Sequence, residues 1–397
     1  MKILIMHNSG ARHLSSGETR AVENEANALK KMGVDIKVNV VYNEASGWRH
    51  LFKFIRTGFG IFYSPASYKL TAELLDQFQP DLVHFHGIIP ILTPSALHLC
   101  HKQNVPVVQT LHNFRWLCVE GGLFRRNRIC CKCLISCGWQ GVFYGCAKGS
   151  RLISLALSLT NMFYRRSGYL YRWVDKFIAV SEFVKDTYIS AGFPAEKMTV
   201  KYNGINPASK AGNVDVRRGI TFVGRLTRSK GTEILARLFS RINCPFNIIG
   251  TGQEGRRLKA ICQEINFNHV KFWGNLSPDE TNKIIASSVG VIIPSQCGET
   301  FSLVAAEAML NGTPIIVSAF GGPKELVEKS GAGIVVEPRD ADGFVAAIMK
   351  LLNQSVLADQ MGKKGQQFVQ QKLNQDKTTA QLIKIYEQVI ADTTKSN

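Results

Sequence analysis

Short apolar runs alternate with amphipathic stretches along almost the whole chain. KILIMH (Lys2–His7) is followed by ETRAVENEANALKKMG and then VDIKVNVV; further on come DLVHFHG, PVVQTLH and KFIAVS. The apolar runs are rich in Val and Ile, and the intervening segments carry apolar residues three and four apart. This rhythm predicts buried strands joined by helices, hence a parallel sheet covered by helices on its faces. It restarts at ITFVGR (Ile220–Arg225) and continues through FNIIGTG, VKFWGN, GVIIPS, TPIIVSA and AGIVVEP.

Between the two series lies YNGINPASKAGNVDVRRG (Tyr202–Gly219), rich in Gly, Asn, Pro and Ser, which reads as a linker. The pattern therefore divides the chain into residues 1–203, residues 204–374 and a helical segment 375–397 that can pack back on the first domain. Two doubly wound α/β domains in series place their strands' C-terminal ends at a central cleft, the usual ligand position in open α/β sheets.

With 397 residues, 45% hydrophobic and 20% charged, the chain can build two ordinary cores. The formal charge of +18 changes the picture of its partners, because about two thirds of the excess falls in residues 1–203. An anionic partner is expected there: phospholipid or a phosphorylated substrate. Nucleic acid is disfavoured, since no helix-turn-helix, zinc finger or aromatic-interleaved basic repeat is present. MKILIMHNSG is too short an apolar run for a signal peptide and no window is long enough for a spanning helix, so a cytoplasmic protein is expected.

CGETFSLVAAEAML (Cys297–Leu310) sets Glu299 and Glu307 eight positions apart in a small, apolar run. GVIIPS reads as a strand and FSLVAAEAMLNG as a helix closed by Gly312, which puts Glu299 in the turn before the helix and Glu307 on its second turn. The N–H groups at that helix start attract anions such as phosphate. GRLTRSKG (Gly224–Gly231) adds Arg225, Arg228 and Lys230 on a glycine-flanked loop suited to a diphosphate. GTGQEG (Gly250–Gly255) matches a dinucleotide fingerprint, but the acid expected after the next strand is missing; a tight strand-to-helix turn is the better reading, with a nicotinamide-dependent oxidoreductase as the alternative.

FVGRLTRSKG, IIGTGQEG, the Glu-x7-Glu of ETFSLVAAE, and VDKFIAVSEFVKDTYISAGFPAEKMTVKYNGI together resemble the family-4 retaining glycosyltransferases of GT-B fold, from MKILIMH to the last helix. The resemblance implies metal-independent transfer from a nucleotide-diphosphate sugar, a UDP- or GDP-sugar, held mainly by the second domain. It assigns Arg225 and Lys230 to the departing diphosphate, Glu307 to the ribose hydroxyls and Glu299 to hydroxyls of the donor sugar. Backbone N–H groups near Phe301, Ser302 and Leu303 complete the phosphate cradle. In the first domain, Gly17 matches a position where the backbone approaches the donor phosphate, although relatives often have two glycines where this chain has Ser16-Gly17. The resemblance places His112 at the reaction centre. His84 and His86 share a face of their strand and are read as structural or acceptor-side. No side chain stands out as a covalent nucleophile, so front-face substitution is expected, with the β-phosphate assisting deprotonation.

The chain has ten cysteines, and Cys118, Cys130, Cys131, Cys133, Cys137 and Cys146 crowd into an insertion at about residues 114–150. Cys118, Cys130, Cys133 and Cys146 form a C-x11-C-x2-C-x12-C pattern compatible with structural zinc; free thiols or a redox pair are the alternative. No cofactor is expected for catalysis. Trp48–Tyr63 and Ser150–Trp173 mix aromatic, aliphatic and basic residues, as segments lying in an anionic membrane surface do, or as core with a solvated rim does. The combined expectation is a membrane-peripheral glycosyltransferase acting on a lipid-linked glycan in bacterial surface polysaccharide assembly. A non-catalytic nucleotide-sugar or anion-binding protein of the same fold is the alternative.

Overall fold

The computed structural model describes residues 1–9, 17–42, 58–89, 91–136, 138–212, 214 and 216–396. Ser16, Cys137 and most of Trp48–Tyr63 lie outside the described residues. The chain separates into two units: Met1–Leu123 with Cys130–Gly204 and Asp376–Asn397, and Ile205–Gln375 with Phe124–Ile129.

In the first unit, β1 (Lys2–Ser9), β2 (Asp35–Tyr42), β3 (Leu82–Phe85) and β4 (Val107–Leu111) belong to one parallel sheet. After the short hairpin β5 (Phe124–Arg125) and β6 (Arg128–Ile129), the sheet resumes with β7 (Lys176–Ala179) and β8 (Met198–Val200), in the order β2-β1-β3-β4-β7-β8. Ile3, Leu4, Ile5 and Met6 are all fully buried. A strand covered on both faces reads as a continuous apolar run for this reason. The helix Gly17–Lys31 lays Val22, Ala26 and Leu29 on one side of the sheet, and Leu382, Tyr386 and Val389 of the last helix, Gln375–Ser396, join the same core.

The second unit carries β9 (Ile220–Val223), β10 (Phe246–Ile249), β11 (Val270–Gly274), β12 (Gly290–Ile293), β13 (Ile315–Ser318) and β14 (Gly333–Val336), all parallel, in the order β11-β10-β9-β12-β13-β14. This is the Rossmann order, with chain direction reversing between β9 and β12. The corresponding reversal in the first unit lies between β1 and β3.

Two boundaries differ from the sequence reading. The hairpin Phe124–Ile129 groups with the second unit although it lies inside the cysteine insertion. The Tyr202–Gly219 segment is not a loose linker from Ile205 onward: Ile205 pairs with Asn374, Ala211 N–H donates to Asn311 Oδ1 at 2.8 Å, and Arg218 N–H donates to Ser287 O at 2.7 Å. Its polar backbone finds partners on the second unit, which composition alone does not report.

Candidate functional site

In the second unit, the loops after β9 and β12 flank the sheet's reversal point, where open α/β sheets take ligands. They touch through Gly231, at φ +80°, whose missing side chain leaves room for Pro294 O; a Cβ there would stand 2.0 Å from it. The contact brings Lys230 onto Glu299, and the two form a hydrogen-bonded ion pair to which Ser295 Oγ also donates. Burial pushes the Glu299 carboxyl up, but the Lys230 ammonium and hydrogen bonds from Lys230, Ser295 and Ser302 outweigh it and hold the group below its ordinary value. Burial pulls Lys230 down, and Glu299 with Cys297 more than restores it. Arg225 is exposed close by and acts electrostatically on Lys230. Arg228 is turned away to Glu254, 3.2 Å from its carboxylate.

The helix after β12 spans Leu303–Leu310, so Phe301 and Ser302 lie just before it rather than in it. Ser302 sits at φ +82°, a costly conformation for a residue with a side chain, while its Oγ accepts from Ala305 N–H. Phe301 is buried, Leu303 opens the helix, and Gly312, at φ +66°, follows its end. Glu307 is buried on the second turn. Glu299 is thus engaged by Lys230 and Ser295 outside the helix while Glu307 stands within it. The glycines of GTGQEG have a backbone role: a Cβ on Gly250 or Gly252 would stand 2.1 Å from Gly224 O or 2.4 Å from Leu226 O. The fingerprint is therefore accounted for by packing of the turn against the loop after β9.

In the first unit a histidine network occupies the C-terminal ends of β1, β3 and β4. His84 is fully buried, with Nδ1 2.6 Å from Tyr386 OH and Nε2 2.7 Å from Thr110 Oγ1. His86 Nδ1 lies 2.9 Å from His112 Nε2, and its Nε2 lies 3.3 Å from Glu25 Oε1. Lys201 donates to the other oxygen of Glu25. Burial raises the Glu25 carboxyl, but Lys201 and the histidines outweigh it and hold it well below the carboxylate range. Burial first, and mutual repulsion second, depress His84 and His112 well below the usual imidazole value and His7 to about 3. These rings are neutral at pH 7. Gly17 begins its helix with open space around its Cβ position among the described residues.

Among the described residues, Glu25, His84 and His86 are the trio whose ligand atoms lie within 4.8 Å of one another. A metal ion fits poorly there, because Lys201 holds Glu25 and both ring nitrogens of His84 are engaged. In the cysteine insertion, Cys118 and Cys133 share a thiol hydrogen bond that lowers Cys118 to about 7 and, with burial, raises Cys133. Cys146 acts electrostatically on Cys133, and Cys130 on the exposed Cys131. No three of the described cysteines are gathered within the same 4.8 Å.

Some functional side chains were not singled out from sequence. Glu25 interrupts the apolar stripe formed by Val22, Ala26 and Leu29, and an acid in such a stripe is a signal of a buried partner. Lys201, Tyr386 and Ser295 had no local signal, since their partners are remote in sequence or revealed only by the turn. Gly321 and Gly322 were also missed: a Cβ there would stand 2.6 Å from Glu299 O and 2.4 Å from Thr300 O.

Two sheets of this kind with these paired sites define a GT-B type of architecture. Comparison with known proteins agrees: a model described as glycosyltransferase family 4 matches residues 15–209 and one described as glycosyl transferases group 1 matches residues 209–368. The chain belongs to the family-4 glycosyltransferases. It is 26% identical over 380 residues to an uncharacterised glycosyltransferase of Methanocaldococcus jannaschii, covering 94% of this chain and 95% of that one. Among solved structures, HepE of Anabaena in complex with UDP and glucose is similar with a TM-score of 0.68 at 19% identity, covering 98% of this chain and 100% of that one. Sucrose-phosphate synthase of Thermosynechococcus elongatus is similar with a TM-score of 0.71 at 19% identity, covering 98% and 99%.

Proposed function

We propose that this transferase moves a hexosyl or related sugar, with retention, from a UDP- or GDP-sugar to a lipid-linked glycan in the assembly of a bacterial surface polysaccharide. The observation that carries the donor reading is the Lys230–Glu299 pair beside the start of the helix Leu303–Leu310. It sets a half-buried cation and helix N–H groups where a diphosphate gathers charge, and a carboxylate where sugar hydroxyls can be bound. The solved HepE complexes with UDP and with UDP-glucose support a nucleotide-sugar donor.

In this reading Arg225 and Lys230 stabilise the leaving diphosphate, and the N–H groups near Phe301, Ser302 and Leu303 and the backbone at Gly17 contact the phosphates. Glu307 accepts from the ribose hydroxyls and Glu299 from the sugar. The C1–oxygen bond to the diphosphate breaks as the acceptor oxygen bonds C1 on the same face, and the acceptor proton passes to the leaving phosphate. No metal takes part in that step. His112 and Glu299 position the sugar.

The acceptor reading rests on the helix Arg151–Arg166, whose polarity is reversed. It buries Ser154, Ser158, Thr160 and Asn161 beside Leu157 and Tyr164 and exposes Leu152, Leu159 and Phe163, with Phe143 and Trp139 exposed on the preceding helix and Arg151 and Arg166 at its ends. Apolar side chains displayed between arginines fit an anionic bilayer interface. Among the described residues no helix is long and apolar enough to cross a membrane. We propose that the protein works on the cytoplasmic face of the cell membrane.

For the insertion we propose structural zinc through Cys118, Cys130, Cys133 and Cys146, supported by their C-x11-C-x2-C-x12-C spacing and by the thiol contact between Cys118 and Cys133. Metal analysis of protein purified without added zinc is expected to return about one zinc per chain; a ratio near zero removes the proposal.

The donor reading is tested by thermal shift and by transfer of labelled sugars to a lipid-linked acceptor pool. UDP or GDP is expected to stabilise the fold where NAD does not. Glu307→Ala and Arg225→Ala are expected to weaken donor binding and His112→Ala chiefly to lower turnover. Normal donor binding by the Glu307 variant overturns its ribose role. Donor binding without transfer to any acceptor leaves the non-catalytic binding protein.

A further inference from the structure

Glu25, His86 and His112 form a chain of contacts that no family assignment of His112 by itself explains. Glu25 Oε1 and His86 Nε2 are both buried and stand 3.3 Å apart as an ion-pair contact; His84 Nδ1 lies 3.6 Å from the same oxygen, and among the described residues neither atom has a better-placed hydrogen-bond partner. A buried acceptor and a buried ring nitrogen facing each other are satisfied in one arrangement only, with the proton on His86 Nε2 directed at the carboxylate. In the neutral form of the ring, the form the proposal takes, His86 Nδ1 is then a lone pair. Its neighbour at 2.9 Å, His112 Nε2, must carry the proton of that contact.

We propose that Glu25 and His86 are positioning residues that fix the tautomer of His112, so that His112 carries its proton on Nε2 and keeps Nδ1 as an acceptor, the form in which it can receive a hydrogen bond from a sugar hydroxyl. Only the last clause rests on the donor reading above. Lys201 completes the device: it holds Glu25 Oε2, which keeps the carboxylate ionised and unable to rotate away. Phe85, between His84 and His86, faces the other side of the strand, so the two rings meet, with centroids 4.0 Å apart. His84 is hydrogen-bonded to Tyr386 and Thr110, and its Nδ1 also stands 3.6 Å from Glu25 Oε1.

Glu25→Gln makes a sharp prediction because Lys201 is a donor only. The new amide must turn its oxygen toward Lys201 and its NH2 toward His86. The amide then donates to His86 Nε2, the His86 proton moves to Nδ1, and His86 donates to His112 Nε2. The His112 proton is therefore transferred to Nδ1. One isosteric change reverses the hydrogen-bond direction through two rings without removing an atom from the network.

Nitrogen NMR of the full chain labelled at histidine with nitrogen-15 reads this directly, with His112→Gln used only to assign the signals. At neutral pH the wild type is expected to show His112 neutral and protonated at Nε2, and Glu25→Gln to show it protonated at Nδ1. Tyr386→Phe, which removes the hydroxyl bonded to His84 Nδ1 and leaves the Glu25 carboxylate and the His86–His112 contact in place, is expected to leave the His112 signals in the Nε2–H pattern. A wild-type His112 protonated at Nδ1 overturns the proposal without any variant, as does an unchanged tautomer in folded Glu25→Gln protein. In the transfer assay Glu25→Gln is expected to lower kcat by about 10²-fold with little change in donor KM, and Glu25→Asp to recover part of it. Equal loss in both variants, or a loss confined to KM, overturns the positioning role. If the tautomer switches as expected but the wild type transfers no sugar, the transferase reading fails and the relay stands.

Discussion

At Glu299 a carboxylate stays ionised in a buried position because Lys230, Ser295 and Ser302 surround it. Removing only one partner exposes the cost of burial. Lys230→Met is expected to destabilise the fold by about 3 kcal/mol and to abolish measurable donor binding; adding Glu299→Gln should recover part of the stability and none of the binding, as urea unfolding and donor titration would report. His7 makes a second residue-scale prediction. Burial and His86 lower its folded pKa from 6.5 to about 3, so the folded state favours the neutral ring. That contribution is fully present above pH 6.5 and is lost as pH falls toward 3, where the unfolded chain binds the extra proton. The thermal midpoint should therefore drop on acidification through this window, and His7→Phe should flatten the drop; an unchanged slope would reject the assignment. The residue scale was partly legible. Glu299 and Glu307 announce themselves as acids in an apolar run, whereas Ser295 and Lys201 become visible only beside their partners.

The helix Leu303–Leu310 shows what an element adds. Its start depends on Ser302 at φ +82° and on a loop pressed against Gly321 and Gly322. Gly321 is at φ +93°, and a Cβ there meets Glu299 O at 2.6 Å, so Gly321→Ala strains both its own backbone and the loop that carries Glu299. It is expected to cost about 2 kcal/mol and to weaken nucleotide-diphosphate binding at least tenfold, measured by calorimetry at a temperature where the variant remains folded. Wild-type affinity in a destabilised variant would show that the loop position is not coupled to the site. Element type was read correctly here because apolar spacing and Gly312 mark the helix. Its first turn was placed two residues early: FSL continues the apolar pattern, but Phe301 is drawn into the interior before helical dihedrals begin.

At the scale of the whole molecule, the proposed membrane contact rests on the charge of +18 together with the outward apolar side chains of the helix Arg151–Arg166. Anionic vesicles are expected to bind the protein at low salt and to release much of it near 0.5 M salt, while neutral vesicles bind weakly. The combined change Phe143→Ser and Leu152→Ser should reduce binding at least tenfold without lowering the unfolding midpoint, since these side chains are 69% and 70% exposed. Co-sedimentation that is the same for this variant and the wild type would remove the membrane reading. The sequence flagged the segment from its mixed composition, yet only the fold showed that the apolar side faces outward and the serine side inward.

What the sequence by itself determined is the alternation that forces two parallel sheets, the restart near Ile220, and the local chemistry of GRLTRSKG and ETFSLVAAE. These depend on period, turn residues and neighbours within a few positions, all of which are written locally. The tertiary structure decided which charges meet. Lys230 reaches Glu299 because β9 and β12 are adjacent in the sheet, and Glu25, on the helix after β1, meets His86, which follows β3, and Lys201, which follows β8. Pairings across 69, 61 and 176 residues follow from strand order and burial; they are set by the requirement that a buried charge find a partner, wherever in the chain that partner lies.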